Sequence, residues 1–349
     1  MSLGPLMLDI KGMELEAEER EMLAHPKAGG VIICTRNFSS PGQLNELISD
    51  IRSIREPHLL ITVDHEGGRG QKFREGFTRL PAAALIGRVY GRDHQRGRLL
   101  SESIGWIMAA ELRAVGVDFS FAPVLDINHG MSGFIGDRAF HRDPEAVADL
   151  AHFFMVGMRK AGVAAVGKHF PGHGGVRADS HLTLAEDTRP LEQILGEDLL
   201  PFERMIHYGI PAIMPAHVVY TLADPHPAGF SAFWLRGVLR DRLGFDGAIF
   251  SDDLSQECAG CTDDYAERAL TALDAGCDMV QLCNHPDRAA AVLQALEGRM
   301  DEPILQVRLA RMRGRKAPPL GELRDTDQWQ QTAAWIEELD ESPWLELDV

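Results

Sequence analysis

Four short segments put charged and imidazole side chains just where an apolar run ends. They are Asp64-His65-Glu66 followed by Gly67, Gly68 and Arg69; Lys168-His169 leading into Pro171-Gly172-His173-Gly174; His217 after Pro215-Ala216; and Asp252-Asp253 after Ser251. Burying a charge is costly unless it is paired or used, so four such clusters at one face of a fold imply a polar pocket. Taken singly, each is also what a loop-anchoring ion pair looks like.

The segment KHFPGHGGVRADSH (168–181) carries the most chemistry. Gly172, Gly174 and Gly175 make its loop pliable, and Asp179 stands two positions before His181. A carboxylate beside an imidazole orients the ring, selects its tautomer and stabilises its protonated form, which is what a general acid/base near neutral pH requires. Such a loop is also suited to closing over a substrate. The plainer alternative is an Asp capping its own turn beside a surface His. A sharper rival is a metal centre built from His169, His173, Asp179 and His181, all common ligand types. Lys168 opposes it by setting a cation beside the metal, and the helical HExxH pattern is absent. His217 reads equally well as a pocket residue or a strand end. The Gly67-Gly68 pair admits close approach of a substrate or simply makes a turn. No GxGxxG follows a first strand and no GxxxxGK[ST] loop occurs.

Eight β-branched or apolar runs position these clusters: 6–10, 31–35, 59–66, 117–127, 164–170, 212–218, 247–253 and 279–284. Amphipathic stretches separate them. The clearest has Leu44, Leu47, Ile48 and Ile51 on one face after the start signal Ser39-Ser40-Pro41. Others cover 99–115, 144–158, 191–207, 231–243 and 265–275, and several end at a glycine (Gly116, Gly162, Gly209, Gly276) just before the next strand. Eight βα units predict a (β/α)8 barrel, with an open doubly wound sheet as the alternative. Polar residues crowd the C-terminal ends of several different strands, which favours the barrel. No Pro/Ser/Gly-rich linker divides the chain, so residues 1–349 are expected to form one domain. Residues 285–349 should then be helices and a tail packed on the barrel, through Trp329, Leu339 and Trp344.

The 349 residues are 45% hydrophobic and 25% charged, the composition of a globular protein without a membrane span. The first twenty lack a basic leader followed by a long apolar run, so no secretory signal is expected. A formal net charge of −17 argues against a nucleic-acid partner, whose binding needs Lys and Arg to displace counterions. Cys34, Cys258, Cys261, Cys277 and Cys283 are an odd number, as expected of reduced thiols in a cytosol. Cys258 and Cys261 form a lone CxxC, the pattern of a redox pair or half a zinc site, but no second CxxC or matching His pair stands nearby.

The segments GGVIICTRNF (29–38), DHEGGRGQKF (64–73), FAPVLDIN (121–128), IGDRAFH (135–141), KHFPGHG with DSH, MPAHVVY (214–220), PAGFS (227–231) and FSDDLS (250–255) together resemble glycoside hydrolase family 3. The resemblance is to its single-domain bacterial β-N-acetylhexosaminidases and runs in family order over residues 6 to 284. It implies a retaining mechanism with Asp252 as nucleophile, His181 as acid/base and Asp179 as the partner that tunes His181. Asp64, Lys72, Arg138, Lys168 and His169 fall on sugar-binding positions. The family usually has RVQRF where this chain has RGQKF, so Lys72 replaces an Arg and gives up its planar fork of donors. Of Asp252 and Asp253, neighbours on a strand, only one is expected to face the pocket, and Asp253 is expected to hold a structural bond.

The resemblance further implies a cytoplasmic, monomeric enzyme of peptidoglycan recycling without metal or cofactor. Its substrate would be N-acetylglucosaminyl-1,6-anhydro-N-acetylmuramic acid with or without peptide, a small saccharide or muropeptide rather than a nucleic acid or membrane. Competing readings are a β-glucosidase or phosphorylase on the same fold, a metal-dependent hydrolase, and a sugar-binding barrel without turnover.

Overall fold

A computed structural model describes residues 2–177, 185–256, 262–300 and 303–340. Asp179, His181, the Cys258/Cys261 pair and Trp344 lie outside the described residues.

All eight expected apolar runs contain a strand of one parallel sheet. In chain order the strands are β1 (Leu6–Leu8), β2 (Ala28–Ile33), β3 (Leu60–Val63), β4 (Phe119–Ser120), β5 (Val166–Phe170), β6 (Ala185–Asp187), β7 (Ala212–Pro215), β8 (Val218–Tyr220), β9 (Ala248–Asp253) and β10 (Met279–Leu282). The large sheet runs β4-β3-β2-β1-β10-β9-β7-β5. Its two ends are brought together by parallel bridges Phe119↔Ala164 and Val124↔Lys168. Val166 N donates to Ala122 O at 2.8 Å and Leu125 N to Lys168 O at 2.6 Å across the seam. The result is a nearly closed (β/α)8 barrel.

Where strands depart from the expected spans, a backbone reason is visible. The 117–127 run keeps only two strand residues because Pro123, which lacks an N–H, interrupts the ladder. β2 begins three residues early, at Ala28, because Gly29 and Gly30 let its neighbours approach: a Cβ on Gly29 would lie 1.9 Å from Gly4 O. The short strands β6 and β8 pair with each other outside the barrel.

The helix Pro41–Ser53 forms as its pattern requires, burying Leu44, Leu47, Ile48 and Ile51, with the Ser40 hydroxyl accepting from Gln43 N. That cap is worth about 1 kcal/mol. Asp93, Asp143 and Asp264 cap the helices His94–Ala114, Pro144–Lys160 and Tyr265–Ala275 in the same way. The 191–207 helix is interrupted by a π-helical turn, Ile194–Asp198, and Phe233–Arg242 is π-helical throughout. Inside the barrel, Phe119, Phe121 and Phe250 pack with ring centroids 5.2–5.7 Å apart, so the interior is a filled core rather than a pore. At the C-terminal end Trp329 donates its indole N–H to Glu111 at 2.9 Å, with Leu323 and Ile336 buried beside it. Among the described residues no helix is long and apolar enough to cross a membrane.

Candidate active site

The C-terminal ends of the barrel strands surround a cavity of about 570 Å³. Asp64, Lys72, Arg138, Lys168, His169 and Asp252, six residues singled out from the sequence, all line it. Asp179 and His181, the remaining two, belong to the undescribed segment 178–184.

Beyond β3 the chain alternates: Asp64 and Glu66 face the cavity while His65 points away between Phe73 and Phe77, at ring distances of 5.7 and 6.3 Å. Burial pushes the His65 imidazole down to about 3, so it is a neutral core residue. From β5, Lys168 reaches both Asp64 and Glu66. Arg138 meets Glu66 with a fork of two hydrogen bonds, 2.9 and 2.7 Å, and its guanidinium covers the Phe134 ring 4.6 Å away.

Two carboxylates and two cations balance, which is the condition for burying such a network. Burial alone would raise the Glu66 carboxyl, but Arg138 and Lys168 outweigh it and hold the group well below the usual carboxylate range. Burial would lower Lys168, and Asp64 and Glu66 reverse that. The Lys168 side chain is 1% exposed and that of Asp64 39%. Asp64 is therefore the member of the network open to hydroxyl groups in the cavity.

His169 gives its Nδ1 to Asp126 Oδ2 at 2.7 Å, an arrangement that fixes the ring and directs Nε2 toward the cavity. Asp126 is fully buried and also accepts the backbone N–H groups of His169 and His173, at 3.2 and 2.7 Å. Burial raises its carboxyl, yet His169 and these donors bring it below the ordinary value.

At the end of β9, Oδ1 of Asp252 accepts from Gln256 Nε2 at 2.9 Å and from Asp253 N at 2.7 Å, so the carboxylate is oriented from two sides. Asp253 holds structural bonds as expected, its carboxylate accepting from Ser255 N, Ser255 Oγ and Cys283 N at 3.0, 2.7 and 3.1 Å and tying β9 to β10. Contrary to expectation it also lines the cavity together with Asp252, because the chain is leaving β9 there. His217 is fully buried, stacks on Phe230 at 5.3 Å and does not line the cavity. Lys72 lines the cavity and makes no hydrogen bond or ion pair among the described residues. Gly70 leaves Glu66 its room, since a Cβ there would lie 2.9 Å from Oε2.

Sequence reasoning left Glu66, Asp126 and Gln256 without roles. A signal existed for the first two, because each is an acid at the end of an apolar run, but their partners are 72 and 43 positions away. Among the described residues, a group able to hold a metal is His129, Glu197 and Asp198. Arg189 already supplies a cation there, 2.8 Å from Asp198 Oδ2 and 3.3 Å from His129 Nε2.

A pocket of carboxylates, cations and one oriented imidazole can grip hydroxyls and stabilise a sugar-like cation, and similarity to known proteins agrees. The Glycosyl hydrolase family 3 N terminal domain model matches residues 6–313. A beta-hexosaminidase of Thioalkalivibrio sulfidiphilus is 64% identical over 349 residues, 100% of both chains. One of Methylococcus capsulatus is 54% identical over 96% of this chain and 99% of its own. The crystal structure of NagZ from Neisseria gonorrhoeae in complex with N-trifluoroacetyl-D-glucosamine superposes with a TM-score of 0.93 at 42% identity, covering 98% of this chain and 99% of that one. The chain belongs to glycosyl hydrolase family 3 and is a glycoside hydrolase of the β-N-acetylhexosaminidase kind.

Proposed function

We propose that the enzyme removes terminal, non-reducing β-linked N-acetylglucosamine with retention of configuration. The substrate is N-acetylglucosaminyl-1,6-anhydro-N-acetylmuramic acid, with or without peptide, in cytoplasmic peptidoglycan recycling, and the enzyme works as a monomer. The observation that carries this reading is the Asp252 carboxylate, oriented by Gln256 and by the Asp253 N–H, in one cavity with Asp64, Lys168 and His169. The N-acetylglucosamine derivative bound by the gonococcal NagZ supports the choice of sugar.

In the first step an Asp252 oxygen bonds to the anomeric carbon as the glycosidic C–O bond breaks. The electron pair leaves with the aglycone oxygen, which takes a proton from His181. In the second step His181 takes a proton from water, the hydroxide attacks the anomeric carbon, and Asp252 is released. Asp179 orients His181. Asp64, Lys168, Arg138 and His169 hold the sugar hydroxyls and the N-acetyl group.

The test is hydrolysis of para-nitrophenyl β-N-acetylglucosaminide beside the β-glucoside, with and without chelator and phosphate. Chelator-resistant, phosphate-independent release from the N-acetyl substrate is expected. Preference for the glucoside or for phosphate would replace the function and keep the fold.

A further inference from the structure

The turn 68–71 is a partition. On one side Arg69 and Gly70 line the active-site cavity; on the other Gly68, Arg69 and Gln71 line a second cavity of about 590 Å³. The second cavity is walled by three arginines, Arg69, Arg74 and Arg79, and by Leu80, Pro81 and Ala82. We infer that it is a subsite for carboxylates on the leaving-group side of the substrate, a reading that rests on the saccharide hydrolysis proposed above.

Its loop is built before any ligand arrives. Gln71 is 5% exposed and spans the loop, donating to Phe73 O and Thr78 O at 3.0 and 2.8 Å and accepting from Leu80 N at 2.8 Å. Phe73 and Phe77 are buried beneath it, and Glu111 accepts both Thr78 N and Thr78 Oγ1, at 2.9 and 2.7 Å. A ligand binding here has no loop backbone to order, and the entropy it costs is that of the arginine side chains alone.

The three arginines differ in what already occupies them. Arg69 is committed: Nε donates to Asp137 at 2.8 Å, and Nη2 to the carbonyls of Gly133 and Ile135 at 3.1 and 3.0 Å. Among the described residues the Arg74 guanidinium reaches only the carbonyl of Gln71, three positions back, at 3.4 Å. Arg79 makes no hydrogen bond or ion pair among the described residues. Among the described residues, two exposed cations without a carboxylate partner therefore share one concavity in a chain of net charge −17. Guanidinium forks in a concave, apolar-backed site match carboxylates bidentately. Arg69 lines both cavities, so the second lies immediately across the turn 68–71 from the active site, within reach of a long leaving group.

The experiment compares two leaving groups, the acidic anhydro-N-acetylmuramyl peptide and the neutral sugar of N,N′-diacetylchitobiose, on wild type, R74Q/R79Q and R74K/R79K. The ratio of kcat/KM for the acidic over the neutral substrate is expected to fall about tenfold in the Gln double variant, through KM, and to recover in part with Lys. The advantage of the acidic substrate should also weaken with added salt. An unchanged ratio, or equal losses on both substrates, overturns the subsite. So does inorganic phosphate altering neutral-substrate turnover in wild type but not in R74Q/R79Q, since the cavity would then serve a free anion. Absence of wild-type turnover on both substrates overturns the hydrolase reading instead, and an altered ratio in an active enzyme cannot arise that way.

Discussion

Arg138 and Glu66 meet edge to edge, Nε to Oε2 at 2.9 Å and Nη2 to Oε1 at 2.7 Å, and Lys168 approaches the same carboxylate from β5. Glu66 is thus the shared anion of two cations that line the cavity. Glu66→Gln keeps the shape and removes the charge, leaving Arg138 and Lys168 with Asp64 alone. Breaking one side of a buried pair costs about 3–5 kcal/mol. Urea unfolding is expected to register a loss of about 3 kcal/mol, with kcat/KM down at least tenfold; wild-type values would mean the network is not what holds the cations in place.

His169 depends on Asp126 in the same way. With Asp126→Asn the ring loses the acceptor that selects its tautomer. KM for the N-acetyl substrate is expected to rise about tenfold while kcat falls less, because a group that only grips the sugar contributes to ground and transition state alike. The His169 ring resonances should report a changed tautomer balance in nuclear magnetic resonance. A pure kcat effect would move His169 from binding to chemistry.

Acid stability has a definite sign. Burial holds His65 at about 3 and His173 at about 4, both below the ordinary 6.5. Above pH 6.5 neither folded nor unfolded chain protonates them. Below it the unfolded chain gains protons that the folded one refuses, so stability falls as pH drops from 6.5 towards those values, by about 1.4 kcal/mol per pH unit per histidine. Glu66 and Asp126, held low in the folded state, add a further loss at still lower pH. Unfolding curves at pH 7.5, 6 and 5 should follow this slope, and His65→Asn should flatten it; a pH-independent midpoint would contradict the neutral burial of these rings.

Lys72 offers the cavity a point charge rather than the planar fork of donors an arginine would bring. Lys72→Arg is expected to lower KM about fivefold on a disaccharide substrate, and Lys72→Ala to raise it, with kcat little altered. Steady-state kinetics decides, and identical KM values for all three would remove Lys72 from the binding surface.

The barrel was legible because eight apolar runs recurred along the chain with amphipathic helical stretches between most of them. The shortness of β4 follows from Pro123, but β6 and β8, of three residues each, leave no pattern to read. The π-helical register of Phe233–Arg242 is equally silent, because Leu235, Val238 and Leu239 present one apolar face whether the hydrogen bonds close at four residues or five. In the site, Asp64, Lys168 and Asp252 stood out as charges at strand ends. Glu66 and Asp126 owe their roles to partners far along the chain, a relation that only folding reveals.

The proposed mechanism turns on a covalent bond between Asp252 and the sugar. The most direct measurement is intact-mass and peptide mass spectrometry of His181→Ala quenched in acid during turnover of para-nitrophenyl β-N-acetylglucosaminide, a substrate whose leaving group needs no proton. An N-acetylglucosaminyl adduct on the peptide containing Asp252, absent from His181→Ala/Asp252→Ala, is predicted. An adduct on another residue, or wild-type turnover by Asp252→Ala, would contradict it.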